Sequence, residues 1–250
     1  MKILKKIFTR ETDNITFIFG APRSGTTWLW SLLESHHDIK PFVDNAELNE
    51  GVYSTSESGI YIKKPNEAKR ILKAFCRANK NFLVIEKTPS HTLRQKIILK
   101  DFPNSKSIII LRHPLAIANS MIHSEMQAFK NHDVNIAIAE IRKYFIELKY
   151  LIEKDCFFTL TYEQLSSNTN IILERIFKYL MIDHAEIHKI ITENLGKSKV
   201  GVKGAYRKGK IKSYEEDLSD NQKAILTTSL AEEIKFYEQI YLEFENTCSK

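Results

Sequence analysis

The chain has 250 residues, 43% of them hydrophobic and 27% charged, which excludes a disordered or fibrous chain and leaves room for one large core. Only 8 Gly and 6 Pro are present, with no internal repeat and no low-complexity tract, so a single domain over 1–250 is expected. A net charge of +6 favours anionic ligands, yet the lysines are scattered and no Arg-rich arm or RNA-binding aromatic motif occurs, which argues against nucleic acid as a partner.

The first predicted element is a strand over Ile15–Phe19, a continuous apolar run that ends at Gly20. After a short loop, Trp28, Leu29, Leu32 and Leu33 recur at helical spacing. Phe82–Ile85 reads as a second strand and Ser107–Leu111 as a third, with Pro114 at the first position of the helix that follows. Phe157–Leu160 is a fourth strand. Helical periodicity fills much of Asn135–Lys154, Asn170–Leu180 and Ser219–Phe244. Strands alternating with helices predict an α/β, three-layer fold with a central parallel sheet. Two stretches fit this plan poorly: Asp38–Lys80, which is polar, and Met121–Val134, rich in His, Asn and Glu. Irregular segments near the carboxyl ends of strands are candidates for acceptor recognition.

Gly20-Ala-Pro-Arg-Ser-Gly-Thr-Thr27 joins the first strand to the first helix. Glycines at both ends of the turn let backbone N–H groups converge, and the helix dipole adds positive potential there. Arg23 can fork onto phosphate oxygens, while Ser24, Thr26 and Thr27 add hydroxyl donors around Gly25. A nucleoside-triphosphate loop carries Lys where Thr26 stands, to reach the β- and γ-phosphates beside magnesium. Its absence points to a donor with a different transferable group.

GAPRSGTTW resembles the 5′-phosphosulfate loop of the sulfotransferases, which use 3′-phosphoadenosine 5′-phosphosulfate (PAPS). Three further segments follow in that family's order. Ser107–Pro114 continuing to Ser120 is similar to the 3′-phosphate segment, with Arg112 and Ser120 matching in type and separation. Leu160–Leu165 is similar to the adenine segment and implies that role for Tyr162; Trp28 would lie beside the same ring. Tyr206–Lys210 resembles the late segment that closes on the 3′-phosphate, matching at Arg207, Lys208 and Gly209. Each segment also has an ordinary reading as a strand end, core residue or solvated charge run; their joint occurrence carries the resemblance. It implies the P-loop-like sulfotransferase fold and transfer of a sulfuryl group to an acceptor hydroxyl, releasing adenosine 3′,5′-bisphosphate (PAP). Fixed Arg, Lys and N–H groups could neutralise the charge that develops without a metal.

Ile85-Glu-Lys-Thr-Pro-Ser-His91 bears on the base. One branch of the family has a His two residues after the strand-end Lys, where this chain has Pro89. EKTP instead resembles the glycan-modifying branch, which implies a carbohydrate acceptor, Lys87 assisting at the sulfuryl group, and a Glu as general base. Glu47 is the nearest match, with Glu50 and Asp44 as slips of the alignment and His91 as a rival. A P-loop kinase and a non-catalytic nucleotide-binding protein remain the competing functions. Cys76, Cys156 and Cys248 lack CxxC spacing, and no apolar run approaches the roughly 20 residues of a membrane span. A cytoplasmic, bacterial setting is therefore expected. The basic start, Met1–Phe8, suits a solvated end or contact with a membrane surface.

Overall fold

The computed structural model describes residues 13–43, 57–124, 126–154, 156–197 and 211–248. Glu47, Arg207, Lys208, Gly209 and the basic start lie outside them.

Five parallel strands form one sheet in the order β2-β3-β1-β4-β5: β1 (Ile15–Phe19), β2 (Ile39–Pro41), β3 (Leu83–Lys87), β4 (Lys106–Leu111) and β5 (Phe158–Thr161). All residues of β1 and β3 are buried, as expected of strands covered on both faces. Side chains alternate between two layers. Ile15, Phe17, Phe19, Val84 and Ile109 face one cluster, completed by α3 (Ala68–Ala78), α5 (Pro114–Ile122) and α6 (Val134–Ile152). Ile18, Ile85, Ile108, Ile110 and Leu160 face the other, filled by α1 (Thr26–Glu34), α8 (Thr169–Leu180) and Ile190 of α9 (Ile187–Lys197). The three-layer expectation therefore holds.

The remaining elements are α2 (Ile60–Lys63), a 3₁₀ turn over Pro89–Arg94, α4 (Gln95–Asp101), a second such turn over Gln127–Phe129, α7 (Tyr162–Ser167), α10 (Tyr214–Asp217), α11 (Asp220–Ser229) and α12 (Ala231–Cys248). Asp38–Lys80, expected to be irregular, contains β2, α2 and α3. The helical periodicity over Ser219–Phe244 corresponds to two helices, which part at Leu230. No helix among the described residues is long and apolar enough to cross a membrane.

The sheet order decides where a ligand can sit. The chain leaves β1 toward β2 and β3 on one side, then crosses to β4 and β5 on the other. Such a reversal opens a crevice at the carboxyl ends of the strands. Ile18 of β1 pairs with Lys87 of β3, and Leu111 of β4 with Thr161 of β5, so four strands end at nearly the same level. The Gly20–Thr27 loop, Lys87, Arg112 and Tyr162 all emerge at that end.

Candidate active site

The loop is built from positions where the backbone needs special conformations. Gly25 has φ 97, and a β-carbon there would lie 2.5 Å from Cδ2 of Tyr162. At Gly20 a β-carbon would meet Ser24 Oγ at 2.7 Å and Ile110 O at 2.8 Å. Arg23 is left-handed at φ 70, a conformation costly for a residue with a β-carbon. That turn presents the Arg23 carbonyl to Arg112, whose Nη1 donates to it at 2.9 Å. Thr92 pins the start of the loop, accepting from Gly20 N–H and donating to Gly20 O, each at 3.0 Å.

Around this loop the fold gathers residues far apart in sequence. Arg23 Nε donates to Ser120 Oγ at 2.9 Å, which joins the loop to α5. The Arg112 guanidinium lies 4.4 Å from the centre of the Tyr162 ring, a distance suited to cation–π attraction. Tyr162 meets Trp28 edge-to-face at 5.5 Å. Trp28 and Tyr162 are half-buried, so an apolar, planar surface borders the two arginines. Of the residues expected at the donor, Arg23, Ser24, Gly25, Thr26, Thr27, Trp28, Arg112, Ser120 and Tyr162 share this end of the sheet. Ser24 Oγ is buried without a hydrogen-bond partner among the described residues. An orphaned hydroxyl inside a glycine-walled turn fits a loop shaped to receive an anion.

Lys87 stands on the other flank. Its side chain is 0% exposed, and Nζ donates to Thr27 Oγ1 at 3.1 Å and to Glu57 Oε1 at 3.2 Å. Burial draws its pKa below the ordinary lysine value; the Glu57 carboxylate opposes that shift. Glu57 is a residue that sequence reasoning missed. It sits in a polar stretch with no motif, and its pairing appears only when β3 and the start of α2 come together.

His91 occupies a different environment. It is buried; Nδ1–H donates to Glu86 Oε2 at 2.9 Å, and Nε2 accepts from Tyr61 N–H at 3.2 Å. That pattern is the neutral tautomer with both nitrogens in use. Glu86 Oε1 also accepts from Ser58 Oγ and Thr88 Oγ1, each at 2.7 Å. Burial pushes the Glu86 carboxyl up, but His91, Ser58 and Thr88 outweigh it and hold the pKa below the usual carboxylate value.

Residues 53–186, more than half of the chain, match the model of the sulfotransferase family. The chain belongs to the sulfotransferase family. The matched stretch holds Lys87, Arg112, Ser120 and Tyr162, while Gly20–Thr27 precedes it. The omega-hydroxy-beta-dihydromenaquinone-9 sulfotransferases of Mycobacterium bovis and Mycobacterium tuberculosis are each 26% identical to it over 117 residues. These matches span 42% of this chain and 30% of the relatives' length. Mouse sulfotransferase SULT7A1, solved in complex with PAP, has a similar fold: TM-score 0.62, 17% identity, 93% of this chain and 88% of that one. Sulfotransferase STF9 of Mycobacterium avium gives 0.61 at 13% identity, covering 90% of this chain and 77% of that one. At these identities the likeness extends to the fold.

Proposed function

We propose that this chain moves a sulfuryl group from PAPS to an acceptor hydroxyl. The observation that carries the reading is the set of cations on adjacent strand ends, Arg23 and Lys87 at the loop and Arg112 over the Tyr162 ring, with Ser120 bonded to Arg23 and Trp28 against Tyr162. A donor charged at both ends of an adenosine needs cations at both ends and an aromatic surface; ATP needs them only at the loop. In this reading the loop N–H groups, Arg23 and Lys87 hold the phosphosulfate, Arg112 and Ser120 hold the 3′-phosphate, and Tyr162 and Trp28 flank the adenine. Arg207, Lys208 and Gly209 would complete the 3′-phosphate site.

The acceptor oxygen attacks sulfur, the bond from sulfur to the bridging phosphate oxygen breaks, and PAP leaves with that electron pair. Lys87 and the loop donors oppose the charge growing on the bridging oxygen. The acceptor proton goes to a general base. His91 spends both nitrogens on Glu86 and Tyr61, which favours the carboxylate Glu47 over it. A kinase reading lacks the loop Lys, and family membership opposes it.

Two acceptor classes are supported. The EKTP segment favours a sugar hydroxyl. A specific observation favours an apolar alcohol: Arg23 Nη1 lies 3.1 Å from Met126 Sδ and its guanidinium 5.7 Å from the Phe129 ring. An acceptor approaching the loop there would meet apolar and aromatic surface.

Calorimetry without magnesium tests the donor, with PAP as ligand and ATP and 5′-AMP as comparisons. Tight PAP binding, absent for 5′-AMP and lost in Arg112→Ala, is expected. Better binding of magnesium ATP than of PAP would overturn the reading. A PAPS-coupled screen of amino sugars against long-chain and isoprenoid alcohols then separates the acceptors.

A further inference from the structure

Lys87 and Glu57 form an unequal pair. The Lys87 side chain is fully buried on the last residue of β3 and is held by Thr27, whereas the Glu57 side chain is 40% exposed. The backbone just after Glu57 is fixed by the Glu86 network. Ser58 Oγ donates to Glu86, Gly59 N–H to Thr88 Oγ1 at 3.1 Å, and Tyr61 N–H to His91. What can move at low cost is the Glu57 side chain, which already faces water. What cannot move is the ammonium.

A buried ammonium requires an anion close by, because an uncompensated charge in that position is strongly unfavourable. Glu57 supplies one at 3.2 Å. A sulfonate delivered to the Gly20–Thr27 loop would reach for the same ammonium, since Lys87 Nζ is bonded to Thr27 of that loop. One lysine cannot neutralise a carboxylate and a sulfonate together, and two like charges at that distance repel.

We propose that Glu57 is the internal counter-ion of the sulfuryl subsite: it neutralises Lys87 until the donor's sulfonate replaces it, so the site distinguishes a sulfated nucleotide from its desulfated product. This inference rests on the donor assignment above. Glu57 swings into water when the sulfated nucleotide binds. Once the sulfuryl group has left on the acceptor, no sulfonate excludes the carboxylate from the Lys87 ammonium, and Glu57 returns. Glu57 is therefore a residue of donor specificity, and binding constants report its role without any acceptor.

The test is calorimetry of the full chain with PAPS and with PAP, for wild type, Glu57→Gln, Lys87→Met and the double variant. Glu57→Gln should bind PAPS about five- to tenfold more tightly than wild type does, with PAP affinity unchanged within about twofold. Lys87→Met should weaken PAPS more than PAP. In the double variant the gain from Glu57→Gln should vanish, since two residues acting through one contact are not additive. Unchanged PAP binding shows that Glu57→Gln is folded, and a wild-type circular-dichroism spectrum with a cooperative thermal transition shows it for the two Lys87 variants. An unaltered ratio of PAPS to PAP affinity in Glu57→Gln, or a gain that survives in the double variant, overturns the counter-ion role and leaves the donor assignment standing. Failure of wild type to bind either nucleotide overturns the donor assignment, and the inference with it.

Discussion

Gly25 and Lys87 lie on the same site and respond to substitution in opposite ways. A methyl at Gly25 would sit at φ 97 and 2.5 Å from Tyr162 Cδ2, so both the backbone and the aromatic contact must give. Gly25→Ala should cost about 1–3 kcal/mol in urea denaturation and weaken PAP at least about tenfold. A variant of wild-type stability would mean that Tyr162 does not pack on the loop. Lys87→Met, by contrast, replaces a buried ammonium by an apolar chain of similar length and leaves Glu57 partly in water. Its thermal midpoint should equal or exceed that of wild type, because the remaining Glu57 carboxylate stays hydrated rather than buried and unpaired, while PAPS binding weakens more than PAP binding. The turns of the loop were legible in the sequence because Gly20 and Gly25 encode local geometry. Glu57 was not. Its partner is 30 positions away, and nothing in its neighbours marks a carboxylate that meets a buried lysine.

The junction of β3 with α2 shows how an element boundary is fixed by polar groups. Glu86 accepts from Ser58 and Thr88 on one oxygen and from His91 on the other. In Glu86→Gln the amide oxygen can keep the two hydroxyls, but the amide nitrogen then faces the His91 Nδ1–H. Moving that proton to Nε2 sets it against the Tyr61 N–H, and turning the amide over serves His91 but faces its NH2 to Ser58 and Thr88, whose hydroxyl protons then lose their acceptor. A loss of about 2–3 kcal/mol is expected, read from urea denaturation; a loss under about 0.5 kcal/mol would show that the network is not closed. The same scale explains which elements could be read. The runs Ile15–Phe19 and Ser107–Leu111 announced β1 and β4 because strands buried on both faces are continuously apolar. β2 has three residues with the pattern Ile-Lys-Pro, too short for any period, and its place is set by pairing with β3. α3 lies in a stretch that reads as polar because only Ala68, Leu72 and Cys76 are fully buried. The break between α11 and α12 falls at Leu230, with no Gly or Pro to mark it.

At the scale of the whole molecule, buried groups on opposite sides of the fold tie its stability to pH. His36 is buried at the end of α1; Nε2–H donates to Asp183 O and Nδ1 accepts from Asp38 N–H. Burial holds its pKa below 6.5. His113 caps α5, with Nδ1 accepting from Leu115 N–H, and its ring stacks on Tyr214 at 5.0 Å. Burial, with nearby Lys212, lowers its pKa to about 4. For both, the unfolded chain takes up protons below pH 6.5 that the folded chain refuses, so stability falls as pH drops through that window. The gap between 6.5 and about 4 at His113 corresponds to roughly 3 kcal/mol, lost by the time the lower value is passed. Glu86, held below the usual carboxylate value, adds stability that is present above 4.5 and lost in stronger acid. Two groups pull the other way. Burial raises the Glu163 carboxyl, and Glu186 raises His37, but His37 is largely in solvent and contributes little. The expected profile is level from pH 8 to about 6.5, then a fall of about 3 kcal/mol or more toward pH 4, measured as the urea midpoint at half-unit steps. His113→Gln removes the titrating ring, so its profile should start lower at pH 7.5 and fall less steeply below 6.5. Parallel profiles for wild type and variant would mean that His113 titrates as a solvated side chain, and that the cap of α5 does not depend on a neutral imidazole.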